Sequence, residues 1–229
     1  FLRSERLPDY RAKRIKELLD EHNPLTLADN ARIQFDTVSL QARHFMRLAL
    51  PLVDCYKLIH KNCDYVMQQL KKWDYDMRAD LIAPSLFFGW LTFFTAAVFE
   101  QATGPELAKR LLRKRAADGF PLDPYLEVAP ELAMKWLASG RPEWVGDIKP
   151  LLFPALQKTI ASLEKKCGPV PEGWQWGNLH SIKLQHPIAR IPCLGRSWKP
   201  LTIPVSGDGY TVNQSDVKMK FPPDPVGVI

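Results

Sequence analysis

Apolar residues recur along most of this chain at helical spacing. Between residues 10 and 22, Ile15, Leu18 and Leu19 fall on one helix face with charges on the other. Pro24 ends that helix, because it has no backbone N–H and its ring clashes with the preceding turn. Thr26 followed by Asp29 predicts a capping-box start for a short helix. From Thr37, the positions of Leu40, Phe45, Leu48 and Leu52 predict a longer helix bent near Pro51. Residues 61–73 predict another, with Val66, Met67 and Leu70 inward. Gly104-Pro105 restarts the chain with Pro at a first helical position. Residues 128–138 and 147–166 predict two further helices. Pro150 suits the opening turn of the second, and Pro154 kinks it or marks its real start.

The 19 positions from Leu81 to Phe99 carry no charge, about 28 Å of helix and close to a bilayer span. Pro84, Ser85, Gly89, Thr92 and Thr95 interrupt the stretch, and no positive cluster sits tight against either end. These features favour a helix buried on all sides of a protein domain, so no membrane insertion is expected. After Gly168 the helical period disappears. Leu201-Thr202-Ile203 and Tyr210-Thr211-Val212, separated by the turn signal Ser206-Gly207-Asp208-Gly209, predict two strands joined by that turn. The expected fold is mainly α with a small β-forming C-terminal part. Residues 1–167 form a helical region and 168–229 a Pro/Gly-rich, strand-forming one.

Composition narrows the function classes. A chain of 229 residues with 46% hydrophobic content can bury a substantial core. The net charge of +6 is modest. Its densest basic run, residues 109–115, is interleaved with leucines like a solvated helix face, so no nucleic-acid partner is expected. Cys55 and Cys63 would lie about 12 Å apart on one helix, too far to bridge unless the chain turns between them. With Cys167 and Cys193 they form no metal-type spacing and leave the redox compartment open. The chain opens Phe1-Leu2-Arg3 without an initiator Met or signal peptide, which reads as an internal or processed piece.

Local signatures of catalysis are few. His22, His44, His60, His180 and His186 sit in no recognised motif, and each reads as structural. Asp74 and Asp76 read as turn carboxylates before calcium ligands. Asn213-Gln214-Ser215 matches a glycosylation triplet that also arises by chance. Three segments carry more. Tyr10-Arg11-Ala12-Lys13-Arg14-Ile15 is followed by Gln34-Phe35-Asp36. Leu70-Lys71-Lys72-Trp73-Asp74 leads into the apolar helix. Trp174-Gln175-Trp176-Gly177-Asn178-Leu179-His180 precedes His186-Pro187 and then Gly207-Asp208-Gly209-Tyr210-Thr211-Val212-Asn213.

That order resembles the later β-chain of the penicillin acylase (penicillin amidase) family, where YRA-x-RI, Q-x-D, L-x-x-WD, W-x-WG-x-LH, HP and GDG-x-TVN recur. The resemblance implies an internal fragment of an αββα N-terminal-nucleophile hydrolase acting on a linear amide: a penicillin, an acyl-homoserine lactone or similar. In that family a serine exposed by self-cleavage attacks the carbonyl, its own α-amino group is the base, and backbone N–H with an Asn side chain form the oxyanion hole. The serine and the oxyanion Asn would both precede Phe1. Arg11 aligns with a family arginine that reaches the active site near the serine, a supporting role. The Trp, His and GDG-x-TVN positions are structural in the family. The resemblance further implies a periplasmic or secreted protein, no cofactor in this chain, and possible structural calcium in the intact protein. The expected partners are the remaining α- and β-chain segments and a small acylated amine. Two departures stand out: Ser4-Glu5-Arg6-Leu7-Pro8-Asp9 replaces an apolar lead-in, and Tyr75 stands where Gly is usual. A non-catalytic helical binding domain is the alternative.

Overall fold

In the computed structural model, residues 8–21, 24–53, 62–112, 124–184 and 201–215 are described. Their helices run in the order α1 Tyr10–Glu21, α2 Leu27–Gln34, α3 Leu40–Ala49, α4 Cys63–Lys72, α5 Ala83–Thr103, α6 Pro105–Leu112, α7 Pro124–Ser139, α8 Leu152–Cys167 and α9 Trp176–Leu179. Two short strands follow, β1 Ser181–Leu184 and β2 Leu201–Pro204. The architecture is mainly helical with one small antiparallel sheet.

α5 is the axis of the core. It is apolar all round because neighbours cover it all round: α8 packs along it, with α6, α7, α4 and α3 against other faces. It is long and apolar enough to cross a membrane, yet 61% of its most apolar window is buried inside the fold. Phe45 of α3 sits against Phe87, Trp90 and Phe94 of α5 with ring centroids 5.3–6.2 Å apart. Trp90 is fully buried, and its indole N–H donates to the Leu152 carbonyl at 2.9 Å, which removes the cost of burying that donor. The Ser85 and Thr95 hydroxyls on the same helix are buried with no hydrogen-bond partner. Gly104 ends α5 at φ 78, a conformation Gly reaches without steric cost.

Most of the expected punctuation holds. Thr26 caps α2 in a full capping box, its side chain taking the Asp29 N–H while the Asp29 carboxylate takes the Thr26 N–H. Val66, Met67 and Leu70 are buried. Pro150 lies in a 3₁₀ turn, Lys149–Leu151, and α8 starts two residues before Pro154. The missing Pro154 N–H therefore falls among those with no intrahelical partner anyway.

Three expectations need correction. The helix from Thr37 does not run through Pro51: α3 stops at Ala49, a 3₁₀ turn carries Leu50–Leu52, and Leu52 is exposed. Residues 128–138 lie within a longer helix that begins at Pro124 and tolerates Pro130 inside it. Residues 210–212 form no strand. β2 pairs instead with β1, Ser181 opposite Pro204 and Leu184 opposite Leu201. The reason lies in the side chains of the 206–215 loop, described next.

Candidate functional site

Asp208 turns that loop in on itself. Its Oδ1 accepts the N–H of Tyr210 at 2.7 Å and of Thr211 at 2.9 Å. The Thr211 hydroxyl accepts the Asp208 N–H at 3.0 Å and donates to the Asn213 carbonyl at 2.8 Å. Amides consumed by side chains cannot enter a ladder, so the β-branched run stays a loop. Gly207 is required at φ 88, and a Cβ there would strike the Thr211 hydroxyl. Burial pushes the Asp208 carboxyl up. The two amides, the Ser39 hydroxyl and the His180 ring pull the other way.

The loop carbonyls meet α1. Arg11 Nε donates to the Thr211 carbonyl at 3.0 Å and Nη2 to the Gly209 carbonyl at 2.8 Å. One turn on, Arg14 grips Asp36 through two parallel bonds, Nε to Oδ1 at 3.0 Å and Nη2 to Oδ2 at 2.8 Å, both side chains nearly buried. This bidentate bond raises the Arg14 guanidinium further above its ordinary value. The Asp36 carbonyl in turn accepts the Asn213 N–H at 2.9 Å. The Tyr10 hydroxyl donates to Glu131 and lies 2.8 Å from His44 Nδ1, while the ring stands edge-on to Tyr210. Burial, then the Glu131 charge, pushes the Tyr10 phenol up.

The other motif segments close on the same loop. Trp73 Nε1 donates to the Asp76 carbonyl, and residues 37–39 pair with 75–77 through Ser39 N–H to Tyr75 and Met77 N–H to Thr37. The Gly207 N–H then donates to the Met77 carbonyl at 2.8 Å, and Trp176 Nε1 to the Gly207 carbonyl at 3.0 Å. Gly177 is the close-packing glycine: a Cβ there would lie 2.6 Å from Pro204 Cβ. His180 is buried, stacked on Trp176, with Nδ1 at 2.9 Å from the Val205 carbonyl and Nε2 at 3.2 Å from that of Ser215. Five of the six segments thus converge. His186-Pro187 lies outside the described residues, as do His22, His60, Cys55 and Cys193.

Among the described residues no Ser, Thr or Cys side chain of the cluster is hydrogen-bonded to a histidine ring. Both His180 nitrogens face carbonyls, and the Thr211 and Ser215 hydroxyls donate to carbonyls of Asn213 and Ser206. Asp74 and Asp76 form a turn in which Asp74 Oδ1 accepts the Asp76 N–H, and Asp76 also accepts from Thr37. Among the described residues no group of three His, Cys, Asp or Glu could hold a metal. Arg11 is different. It spends two of five N–H groups on carbonyls, is half-buried, and meets no carboxylate among the described residues. Such a fixed, unneutralised guanidinium suits a carbonyl or oxyanion. Sequence reasoning missed Asp208 and Tyr10 as parts of this arrangement. For Asp208 the signal was there: an acid between two glycines, followed by Thr, is the composition of a side-chain-capped turn.

The described residues form a helical body that carries a polar cluster with one oriented cation, Arg11. The penicillin amidase family matches residues 2–225, most of the chain, and the chain belongs to that family. Family membership supports an acylase-type hydrolase function at that level. Comparison with the curated proteins returns no match.

Proposed function

We propose that the intact protein hydrolyses a linear amide between an acyl group and an amine, with this chain as an internal β-chain segment of an αββα N-terminal-nucleophile hydrolase. The observation that carries this reading is Arg11: its fork is locked by the Gly209 and Thr211 carbonyls and leaves three N–H groups uncommitted among the described residues. An N-terminal serine from sequence outside this chain attacks the amide carbonyl. Its α-amino group, titrating near neutrality, takes the proton. Arg11 orients the surroundings of that serine without reacting, and the chain alone is inert.

The substrate class is a penicillin, an acyl-homoserine lactone or a similar acylated amine, in a periplasmic or secreted protein. The helical region 1–167 would buttress the active site, and 168–229 would lead back to the catalytic sheet. Structural calcium in the intact protein would be held mostly by residues that precede this segment. The test is turnover of a panel of acylated amines by the fully processed protein and by this chain alone. Activity is expected only in the former, and Arg11→Ala is expected to lower it about 100-fold through misplacement of the reacting groups. Turnover by the isolated chain would overturn its inertness. A processed protein silent on the whole panel would favour a non-catalytic helical binding domain.

A further inference from the structure

α1 has twelve residues and buries one of them, Tyr10, at its first position. A helix that hides so little apolar area takes its place from polar contacts. Arg14 on Asp36 holds its middle, and Tyr10 holds its start. The Tyr10 hydroxyl donates to Glu131 Oε2 on α7 at 2.8 Å, and His44 Nδ1 on α3 stands 2.8 Å from that hydroxyl. Glu131 Oε1 accepts from the side-chain amide of buried Gln41, on α3, at 2.9 Å. One carboxylate thus takes a donor from α1 with one oxygen and a donor from α3 with the other. Its own helix, α7, packs on α3 and α5, so the Tyr10 hydroxyl is tied to the helical core. The Tyr10 ring stands edge-on to Tyr210, centroids 5.9 Å apart and planes at 83°. Tyr210 lies between the two residues whose carbonyls hold Arg11, Gly209 and Thr211. Those carbonyls fix the tip of the guanidinium fork. Its root is the Arg11 backbone, set by the residue before it.

We propose that Glu131 is a positioning residue for Arg11, acting through the Tyr10 hydroxyl. The Arg11 side chain is long and turns about several bonds, so a fork pinned at its tip keeps its angle only while its root stays in place. Glu131 acts at one remove: it holds the first turn of α1, and that turn carries the root. The consequence for turnover rests on the amide-hydrolase reading; the consequence for the geometry of Arg11 does not.

The test has a structural arm and a kinetic one. In the full chain labelled with ¹⁵N at arginine, the Arg11 Nε–H is the signal lost in Arg11→Lys. Tyr10→Phe keeps the ring against Tyr210 and removes the bond to Glu131. It should speed exchange of that Nε–H with water about tenfold; unchanged exchange overturns the proposal. Glu131→Gln keeps an acceptor for the hydroxyl and should speed exchange less than Glu131→Leu. Equal effects would overturn the hydrogen bond as the cause. In the processed protein acting on an acylated amine, Tyr10→Phe should lower kcat about tenfold with KM unchanged. In an Arg11→Ala background the same substitution should lower kcat no further, because a residue that works through Arg11 has nothing left to place. A second tenfold loss there would mean a general structural role and overturn the proposal. If exchange quickens as expected while Arg11→Ala leaves kcat intact, or the processed protein turns over no acylated amine, the amide-hydrolase reading of Arg11 fails and its placement by Glu131 stands.

Discussion

Around α5, Phe45, Phe87, Trp90 and Phe94 touch through ring faces and edges, and one polar bond, Trp90 to the Leu152 carbonyl, serves them all. Around Arg11, Arg14, Asp36, Asp208 and His180 the contacts are almost all hydrogen bonds, and most end on a backbone carbonyl or amide. The first region is held by apolar area removed from water, which is non-directional and satisfied by volume. The second is held by donors and acceptors that must match in number and angle. A core of the first kind tolerates exchange among large apolar residues. A cluster of the second kind tolerates little, because each lost partner leaves another polar group stranded.

Single substitutions can break this contrast. Trp90→Ala should be the costliest, about 4 kcal/mol from lost burial and the cavity left behind; urea unfolding measures it, and a cost under 1 kcal/mol would mean the core is not close-packed. Arg14→Ala should cost about 3 kcal/mol, since it strands the nearly buried Asp36. Arg14→Lys should recover under half of that, because Lys cannot make the parallel bonds. Equal stability of the Lys variant and wild type would show that charge alone holds the pair. Thr95→Val tests the reverse case, a polar group the core does not need. Removing its unpartnered hydroxyl should be neutral or stabilise the protein by up to about 1 kcal/mol, and a lower melting temperature would contradict the isolation of that hydroxyl.

The smallest effect is a pH dependence. Burial, opposed by the Thr37 hydroxyl and assisted by Asp74, raises the Asp76 carboxyl above its ordinary value. A raised acid contributes stability that is complete below the ordinary carboxylate range and is lost as pH rises through the raised value. Asp76→Asn keeps an acceptor for Thr37 and removes the ionisation. Thermal unfolding of the variant should therefore gain on wild type as pH rises from about 4, and a gap that shrinks over that interval would refute the sign.

The two regions also differ in how far the sequence reveals them. Helix positions, the Thr26 capping box, the break at Pro24 and the burial of the uncharged helix were readable from period and punctuation, because those signals are local. Leu201-Thr202-Ile203 reads correctly as a strand, but its partner is β1, Ser181–Leu184, and not residues 210–212. Propensity favoured a strand there, but it cannot see that the Asp208 and Thr211 side chains claim the amides. Arg11 was legible as a candidate through the motif around it. Its carbonyl partners were not, because nothing local to residue 11 reports on residues 209 and 211. Tyr75 shows the same limit: it adopts φ 69, a conformation that favours Gly, yet Trp73 and the Arg43 guanidinium pack on its ring.

The Arg11–Thr211 bond joins residues 200 positions apart. Closing a loop of that length costs about 5 kcal/mol of chain entropy when no intervening structure has formed. The helices between them form from local contacts and shorten the path, so the clasp is a late event in folding and an early one in unfolding. A protease cut between α1 and α2 would leave the helices around α5 on one fragment and turn the clasp into an association between two fragments, dependent on their concentration. In time as in space, Arg11 finds its place only after the rest of the chain has found its own.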